Sequence, residues 1–300
     1  MFPIYIPNMK ISILSRSTSL YSTKRLLEEA RKAGHIAKAI NVLHCNIKLE
    51  KQKPTVYYHG ERLVTPDAII PRIGASITFY GTAIVRQFEM MNCFTTVSSM
   101  SLVCSRDKLQ SLQLLSRSGV DMPKTVFTNF GDHTDDICKQ VGGPPVVIKV
   151  LEGTQGIGVN LAETIAAADA IIDANNELRT RVIIQEFIKE AGGADLRAFV
   201  VGDKVVGAMK RQAQKGEFRS NLHRGGTAKS ITLTKLEEQT AVSAAKSLGL
   251  GVCGVDLLQS SRGPLVLEVN SSPGLEGIER ATGKNIAAEI IKYIEKGVHA

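Results

Sequence analysis

The 300-residue sequence lacks a hydrophobic run long enough to cross a bilayer, and its N-terminus lacks the basic start and cleavage site of a secretory signal. Its five cysteines are scattered, and none forms a CxxC pair. These absences argue against a membrane protein, a disulfide framework and a zinc site, and they predict a cytoplasmic protein with reduced thiols. Hydrophobic residues make up 43% and charged residues 22% of the chain, which is typical of a globular protein.

Acidic residues are fewer than basic ones, so the formal net charge is +8. Residues 1–60 carry a net charge of +7 and residues 204–229 a net charge of +6, which leaves −5 for the rest. Two basic segments on a mildly acidic body predict attraction of an anionic partner, such as a nucleotide, an acidic peptide or RNA. A solvated basic face is the simpler interpretation of residues 1–60, where lysine and arginine recur at helical spacing.

Strand-like and helix-like segments alternate from Met9 onward. This rhythm predicts an open α/β domain over residues 9–105, with residues 1–8 as an extension in front of it. Hydrophobic periodicity then predicts a helix over residues 106–118 and a closing helix over residues 286–296.

Two apolar runs near the C-terminus flank a turn at residues 260–264. The first run carries Asp256, and the second carries Glu268 and Asn270, which point the same way because side chains alternate along a strand. If the runs form a hairpin, these oxygen ligands converge as Mg²⁺ or Mn²⁺ would require. The alternative is that Asp256 and Asn270 cap strand ends and that Glu268 is solvated.

A glycine-rich segment follows an apolar strand that ends near Lys149. Backbone N–H groups in such a loop can approach phosphate oxygens closely, although a simple hairpin turn has a similar sequence. Lys149 either extends its amino group to solvent or pairs with an anion, and the neighbouring loop makes phosphate the natural one. The loop residues of interest are Gly153, Thr154, Gln155 and Gly156.

Two further segments carry polar residues suited to a nucleotide. The strand ending at Glu186 and Phe187 could present its backbone to an adenine edge, and Asp195 is placed to meet a ribose hydroxyl, unless both acids are ordinary surface residues. Residues 210–226 are too polar for a buried element and predict a functional loop, in which Arg211 and Arg219 could bind phosphate or carboxylate. A solvated His223 is favoured over a catalytic base.

In this order and spacing, the segments resemble the ATP-grasp superfamily. Within it, the closest resemblance is to the RimK family, and it rests on four segments: 105–109, 152–158, 218–226 and 268–277. The similarity runs from Met9 nearly to the C-terminus.

The resemblance implies an α/β chain with the ATP-grasp fold. An N-terminal open α/β (pre-ATP-grasp) domain would span residues 9–105, a central lid subdomain residues 106–188, and a C-terminal α+β subdomain with the metal site residues 189–300. ATP would lie between the last two.

The resemblance also implies roles for individual residues. Those expected to bind ATP are Lys108, Lys149, Gly153, Thr154, Gln155, Gly156, Glu186, Phe187, Asp195, Arg219, Ser220 and Asn221. Those expected to act in catalysis are Arg211, Arg219 and Asn221. Two Mg²⁺ or Mn²⁺ ions would be held by Asp256, Glu268 and Asn270. Arg72 and Thr78 would face the substrate.

The activity that the resemblance implies is an ATP-dependent ligation in the cytoplasm. L-glutamate would be added to the C-terminal carboxylate of the sixth small-subunit ribosomal protein through an acyl phosphate, by a homotetramer with no membrane or direct nucleic-acid role. One alternative is a ligase that joins glutamate or a related amino acid to a small molecule or a carrier protein. Another is a catalytically idle RNA- or ribosome-binding module that uses the basic segments.

Overall fold

The computed structural model describes residues 8–128, 133–151, 158–214, 216–220 and 225–299. The predicted extension therefore lies outside the described residues, except for its last position. Among the described residues, every helix is too short or too polar to cross a lipid bilayer. All five cysteines are described, and all are buried free thiols, as their spacing in the sequence predicts.

Strands and helices alternate over the described ranges. The strands, in chain order, are β1 (Lys10–Leu14), β2 (Ile36–Ile40), β3 (Cys45–Lys48), β4 (Thr55–Tyr58), β5 (Glu61–Arg62), β6 (Ala68–Pro71), β7 (Phe94–Thr95), β8 (Thr125–Thr128), β9 (Val146–Val150), β10 (Val159–Ala162), β11 (Val182–Glu186), β12 (Ala194–Val201), β13 (Lys204–Gln212), β14 (Thr227–Ser230), β15 (Val252–Ser260) and β16 (Gly263–Asn270). The helices are α1 (Tyr21–Lys32), α2 (Thr78–Met90), α3 (Ser99–Arg106), α4 (Lys108–Arg117), α5 (Thr134–Gln140), α6 (Ile165–Glu177), α7 (Lys235–Ser247), α8 (Leu275–Thr282) and α9 (Ile286–Val298).

The N-terminal part contains an open parallel sheet in the order β2-β1-β6-β7. Its strands β1 and β6 are short apolar runs that are buried almost throughout, as expected of parallel strands covered on both faces. A small antiparallel sheet, β3-β4-β5, is attached beside it. Glycine at position 74 then leads from the end of β6 into a 3₁₀ turn at Ala75–Ile77 and helix α2.

The central part is an antiparallel sheet in the order β10-β9-β11-β8. Ile148 and Ile184 face each other across β9 and β11, and both are fully buried against α5 and α6. This apolar core is separate from the two others in the described chain.

The C-terminal part is an antiparallel sheet in the order β14-β13-β12-β15-β16. It shares its cores with the N-terminal part, since Ile13 of β1, Phe199 of β12 and Ile290 of α9 belong to one buried apolar cluster. Helix α7 begins with a capping box in which Thr234 and Glu237 bond to each other's backbone N–H groups. The N- and C-terminal parts therefore share common cores, whereas the central sheet forms a separate core with α5 and α6.

The helix predicted over residues 106–118 is observed as α4, but it begins two residues later than predicted. Two helices, α3 and α4, meet at Asp107, whose backbone is extended at φ −83° and ψ 104°. The Asp107 side chain accepts a hydrogen bond from the Gln110 N–H at 2.9 Å and so caps α4. Aspartate favours this arrangement over a helix interior because its carboxylate competes for backbone N–H groups.

Candidate active site

A cavity of about 610 Å³ lies where the N-terminal, central and C-terminal sheets meet. Every predicted site residue that the structure describes lines this cavity. They are Lys108, Lys149, Glu186, Phe187, Asp195, Arg211, Arg219, Ser220, Asp256, Glu268 and Asn270. Thr78 also lines the cavity, whereas Arg72 lies beside it without lining it. The remaining predicted residues, Gly153, Thr154, Gln155, Gly156 and Asn221, lie outside the described residues, as does His223.

The predicted metal-binding hairpin is formed by β15 and β16. Asp256 pairs directly with Glu268 across the two strands, and Asn270 follows two residues later on the same side as Glu268. A bulge next to Asp256 places one extra residue in β16. Asp256 lies in the interior of its strand, so it is not a strand-end cap, while Glu268 is exposed to the cavity.

Two arginines hold Asp256. Both Nε and Nη2 of Arg197 donate to its carboxylate, the latter to Oδ2 at 2.6 Å, and Nη2 of Arg211 lies 2.8 Å from the same Oδ2. Burial raises the pKa of Asp256, but Arg197 and Arg211 outweigh it and keep the pKa below its usual value. The carboxylate is therefore ionised and fixed in orientation.

The oxygen atoms at this hairpin fit a hard divalent cation. A carboxylate oxygen has about two acceptor positions, and among the described residues Oδ1 of Asp256 accepts from Arg197 alone. Glu268 contributes a second carboxylate, and the Asn270 amide oxygen, which also accepts from the Ser272 N–H at 2.9 Å, contributes a neutral oxygen. Within the described chain no cluster of three or more His, Cys, Asp and Glu residues forms a metal site, so the donor set at this hairpin is two carboxylates and one amide oxygen.

Lys149 and Lys108 supply positive charge in the cavity that Glu268 lines. Nζ of Lys149 donates to Oε1 of Gln185 at 2.5 Å, and Gln185 is itself fixed by a 2.8 Å bond to Thr125. Nζ of Lys108 donates to the Leu151 carbonyl at 2.7 Å. Burial lowers the pKa of Lys149 to about 8, with Glu268 opposing and Lys108 adding to the effect. The amino group is thus held by a neutral partner, and an entering anion would stabilise its charge.

At the opposite end of the cavity, Glu186 is engaged by a residue from another sheet. Arg262, at the tip of the β15–β16 hairpin, donates to both Glu186 oxygens at 2.8 and 2.7 Å. This pairing lowers the pKa of Glu186. Next to it, the rings of Phe187 and Phe218 meet edge to face, with centroids 6.4 Å apart. These rings form an apolar surface suited to a planar base.

Asp195 is held in a second carboxylate–guanidinium pair. Nε and Nη2 of Arg211 donate to its two oxygens at 2.6 and 2.7 Å, and the Ser220 hydroxyl also donates to it. Burial lowers the pKa of Arg211, but Asp256 and Asp195 outweigh it and raise the pKa. Arg211 is 6% exposed and bridges the predicted ribose residue and the predicted metal ligand.

Arg219 is turned toward a carboxylate of its own segment. It donates to Glu217 through Nε at 2.9 Å and Nη2 at 2.8 Å, and to the Val159 carbonyl at 3.2 Å, while its guanidinium lies 5.4 Å from the centre of the Phe218 ring. The hydrogen bond from Arg219 is the main reason that the pKa of Glu217 falls to about 2. The hydrogen bond to the Val159 carbonyl links Arg219 to β10.

Several functional positions are not predicted from the sequence. The side chains of Gln185, Arg197, Glu217 and Arg262 each contact a predicted site residue. Arg197 carries a usable signal, since it lies two residues after Asp195 on an apolar strand and therefore shares its face. The roles of Gln185 and Arg262 depend on strand pairing and hairpin position, which have no local sequence signal.

Comparison with solved structures establishes the fold. The structure of the ATP-grasp ligase PsnB complexed with a phosphomimetic variant of minimal precursor, Mg and ADP matches with a TM-score of 0.76 at 18% identity, covering 97% of this chain and 99% of that one. A RimK domain ATP-grasp protein from Sphaerobacter thermophilus matches with a TM-score of 0.72 at 20% identity, covering 95% of this chain and 98% of that one. The chain thus has the ATP-grasp fold.

Sequence comparison establishes the family. Residues 9–102 match the model of the RimK PreATP-grasp domain, and residues 105–294 match that of the RimK-like ATP-grasp domain. Relatives in Marinobacter nauticus and Vibrio cholerae, both named "Probable alpha-L-glutamate ligase", are 60% and 59% identical over 288 residues, which is 96% of each chain. The chain belongs to the RimK family of ATP-grasp ligases and is an enzyme, as its motifs predict.

Proposed function

We propose that the protein is an ATP-dependent carboxylate–amine ligase that adds L-glutamate to the C-terminal carboxylate of a protein. The acceptor that the family resemblance suggests is the sixth small-subunit ribosomal protein. The observation that carries the proposal is the Asp256–Glu268 pair, which lines one cavity together with Lys149 and Lys108. Carboxylates for a cation beside lysines for phosphates are the parts that phosphoryl transfer needs. The names of the relatives supply glutamate as the amine.

The described residues divide the cavity into a phosphate end and a base end. Lys149 and Lys108 bind the ATP phosphates. The glycine segment 153–156, which lies outside the described residues, is added to the phosphate site on the family resemblance. Phe187 contacts the adenine ring. Arg211 holds Asp195 in place for the ribose, and a ribose hydroxyl would take over the position of the Ser220 hydroxyl on that carboxylate.

Asp256, Glu268 and Asn270 would hold Mg²⁺ or Mn²⁺, in two ions by family resemblance. When bound, such ions neutralise charge on the phosphates and orient them. The chain contributes the fixed orientation of Asp256, because Arg197 and Arg211 hold its carboxylate from two sides.

The reaction proceeds in two steps. An oxygen of the acceptor carboxylate attacks the γ-phosphorus of ATP, the bond to ADP breaks, and an acyl phosphate forms. The glutamate amine then attacks the acyl carbon and loses a proton, and phosphate leaves with the former carboxylate oxygen. Arg211 is buried between two carboxylates, whereas the pair of Arg219 with Glu217 is partly exposed, so we assign stabilisation of the tetrahedral oxyanion to Arg219. Asn221, which lies outside the described residues, is proposed to act with Arg219 on the family resemblance.

A peptide acceptor is favoured over a small molecule. The solved structures similar to this chain include PsnB complexed with precursor peptide. The cavity is lined by residues from the N-terminal, central and C-terminal parts, and its volume of about 610 Å³ gives an extended chain room to enter.

We also propose the domain boundaries 9–105, 106–188 and 189–300. The buried apolar core of the central sheet supports the second of these units. We also propose that the protein is located in the cytoplasm, which the five free, buried thiols support. Assembly as a homotetramer is proposed on the family resemblance alone.

The test is to incubate the protein with MgATP, L-glutamate and the purified ribosomal protein, and then to measure ADP release and the mass of the acceptor. ATP-dependent addition of glutamate residues would establish the ligase and its acceptor. ADP release without a mass change would retain the ATP chemistry and exclude this acceptor. The absence of ADP release with any acceptor would contradict the proposal and favour a binding module.

A further inference from the structure

One wall of the cavity is formed by Arg106 and the Ile73–Gly74 turn. Arg106, the last residue of α3, lines the cavity and donates through Nη2 to the Ile73 carbonyl. Arg72 precedes that residue, and Nη2 of Arg16 lies 3.8 Å from the position of a Cβ built on Gly74. Three arginines therefore surround the Ile73–Gly74 turn.

The charge of this wall is not balanced within the described chain. Burial lowers the pKa of Arg106, and burial together with the Arg106 charge lowers the pKa of Arg72 to about 10. No carboxylate among the described residues forms an ion pair with either of them. Elsewhere in the cavity the buried arginines differ, since Arg197 and Arg211 are each paired with an aspartate.

Two residues that line the cavity carry hydrogen-bond donors without acceptors among the described residues. Nε of Arg106 and Oγ of Ser272 are both buried, and neither has a hydrogen-bond partner within the described residues. Ser272 also lines the cavity. A buried donor with no partner is unfavourable by about 1–3 kcal/mol, and more when it is charged, so these groups favour an anion that accepts from them.

We propose that Arg106 and Ser272, supported by the charge of Arg72, bind a carboxylate of the ligation substrates. The inference deepens the proposed function and rests on it for the identity of the substrates. A planar carboxylate fits because a guanidinium presents its N–H groups in a fork that matches two oxygens. Lys149 and Lys108 hold the phosphates elsewhere in the cavity, so this wall would position the carboxylate-bearing substrate relative to them.

The carboxylate could belong to free L-glutamate or to the acidic tail of the acceptor. The two sources are separated by measuring KM for L-glutamate at saturating acceptor and KM for the acceptor at saturating L-glutamate. A rise confined to the first value assigns the wall to the donor, and a rise confined to the second assigns it to the acceptor. ATP serves as the internal reference, because its KM should change by less than about twofold.

The main variant is Arg106→Met, which keeps the length and apolar stem of the side chain. Its matched control is Arg86→Met, on the exposed face of α2 and away from the cavity. We expect Arg106→Met to raise one of the two KM values by about 10- to 100-fold, with a smaller effect on kcat, because a charge-assisted bidentate interaction is lost. Arg106→Lys should recover part of this loss.

Arg106→Met also removes the hydrogen bond to the Ile73 carbonyl and could therefore disturb the fold. A second variant distinguishes a loss of substrate binding from a loss of folding. Ser272→Ala deletes the hydroxyl alone, and it should raise the same KM by about 3- to 10-fold with an unchanged thermal unfolding midpoint. Unchanged KM values for both substrates in Ser272→Ala and in folded Arg106→Met would overturn the inference.

A direct binding measurement separates this inference from the proposed function. Titration calorimetry with L-glutamate, and with a synthetic peptide that ends in two glutamates, needs no turnover. If the wild-type protein binds either probe and Arg106→Met does not, the carboxylate site stands even where no ADP is released. Binding of neither probe by the wild-type protein would overturn the site, whatever the ATP chemistry.

Discussion

Asp256 lies directly opposite Glu268 across β15 and β16, yet the two carboxylates have different surroundings. Asp256 is 4% exposed and held by Arg197 and Arg211, whereas Glu268 is exposed to the cavity. The first is fixed by the protein, and the second is available to a cation. This difference predicts that a substitution of Glu268 lowers activity without lowering stability.

Glu268→Gln should lower ATP turnover by at least about 100-fold, because losing a metal ligand removes several kcal/mol of charge stabilisation. Its free energy of unfolding should change by less than about 0.5 kcal/mol, since the side chain is exposed. Glu276→Gln, on the exposed side of α8, is the control and should turn over normally. Steady-state ADP release and denaturant unfolding measure both quantities. Normal turnover in Glu268→Gln would contradict the metal assignment.

Arg211→Met should destabilise the fold by about 3–5 kcal/mol, because it leaves Asp195 and Asp256 buried beside one another with their shared counter-charge removed. Arg219→Met is the matched comparison. Its pair with Glu217 is partly exposed, so the loss of stability should stay below about 1 kcal/mol. Urea unfolding of the two variants side by side gives the difference. Equal destabilisation would show that Arg211 does not have the structural role described.

The affinity for ATP should decrease as the pH rises through about 8, the pKa to which burial lowers Lys149. Below that pH the amino group is charged and attracts phosphate. Above it the amino group is neutral in the free enzyme, so the complex must take up a proton from solvent when ATP binds. ATP itself should raise the pKa, because its phosphates stabilise the ammonium form. Titration of ATP binding between pH 6.5 and 9.5, in buffers of different ionisation enthalpy, should detect proton uptake at high pH.

Lys149→Met is the control for that titration. It should bind ATP weakly at every pH, and the step near pH 8 should disappear. A step that persists in this variant would assign the titration to another group.

Arg262→Met should have a small effect. Arg262 is 46% exposed, so its pair with Glu186 should contribute less than about 1 kcal/mol to the free energy of unfolding. The pair does position the end of β11, and KM for ATP should therefore rise by less than about tenfold with kcat retained. A loss of kcat equal to that of Glu268→Gln would mean that Arg262 acts in the chemistry rather than in positioning.

The sequence predicts the positions of the hairpin residues well because the signal is local. Alternation along one strand places Glu268 and Asn270 on one face, and a turn of a few residues brings Asp256 beside them. The place of Lys149 in the cavity is predicted for a similar reason, since a charged residue in an apolar strand marks a polar site. The ATP-grasp fold itself follows from the order of these segments.

The features that the sequence does not predict depend on strand register and on capping contacts rather than on a local residue pattern. Arg211 meets Asp195 because β13 pairs with β12 in one register, which shifts at a bulge between Phe199 and Val200. The break at Asp107 depends on a capping bond that periodicity does not report. Helix α8 is not predicted either, because its short sequence follows Pro273 and Gly274 and resembles a loop.

The central claim is that an acceptor carboxylate is activated by ATP before glutamate attacks it. The most direct measurement uses a tail peptide of the ribosomal acceptor with oxygen-18 in its C-terminal carboxylate, together with MgATP and L-glutamate. The account predicts that the peptide gains glutamate and that the released phosphate carries one labelled oxygen. Extension of the peptide with unlabelled phosphate, or ADP release without extension, would contradict it.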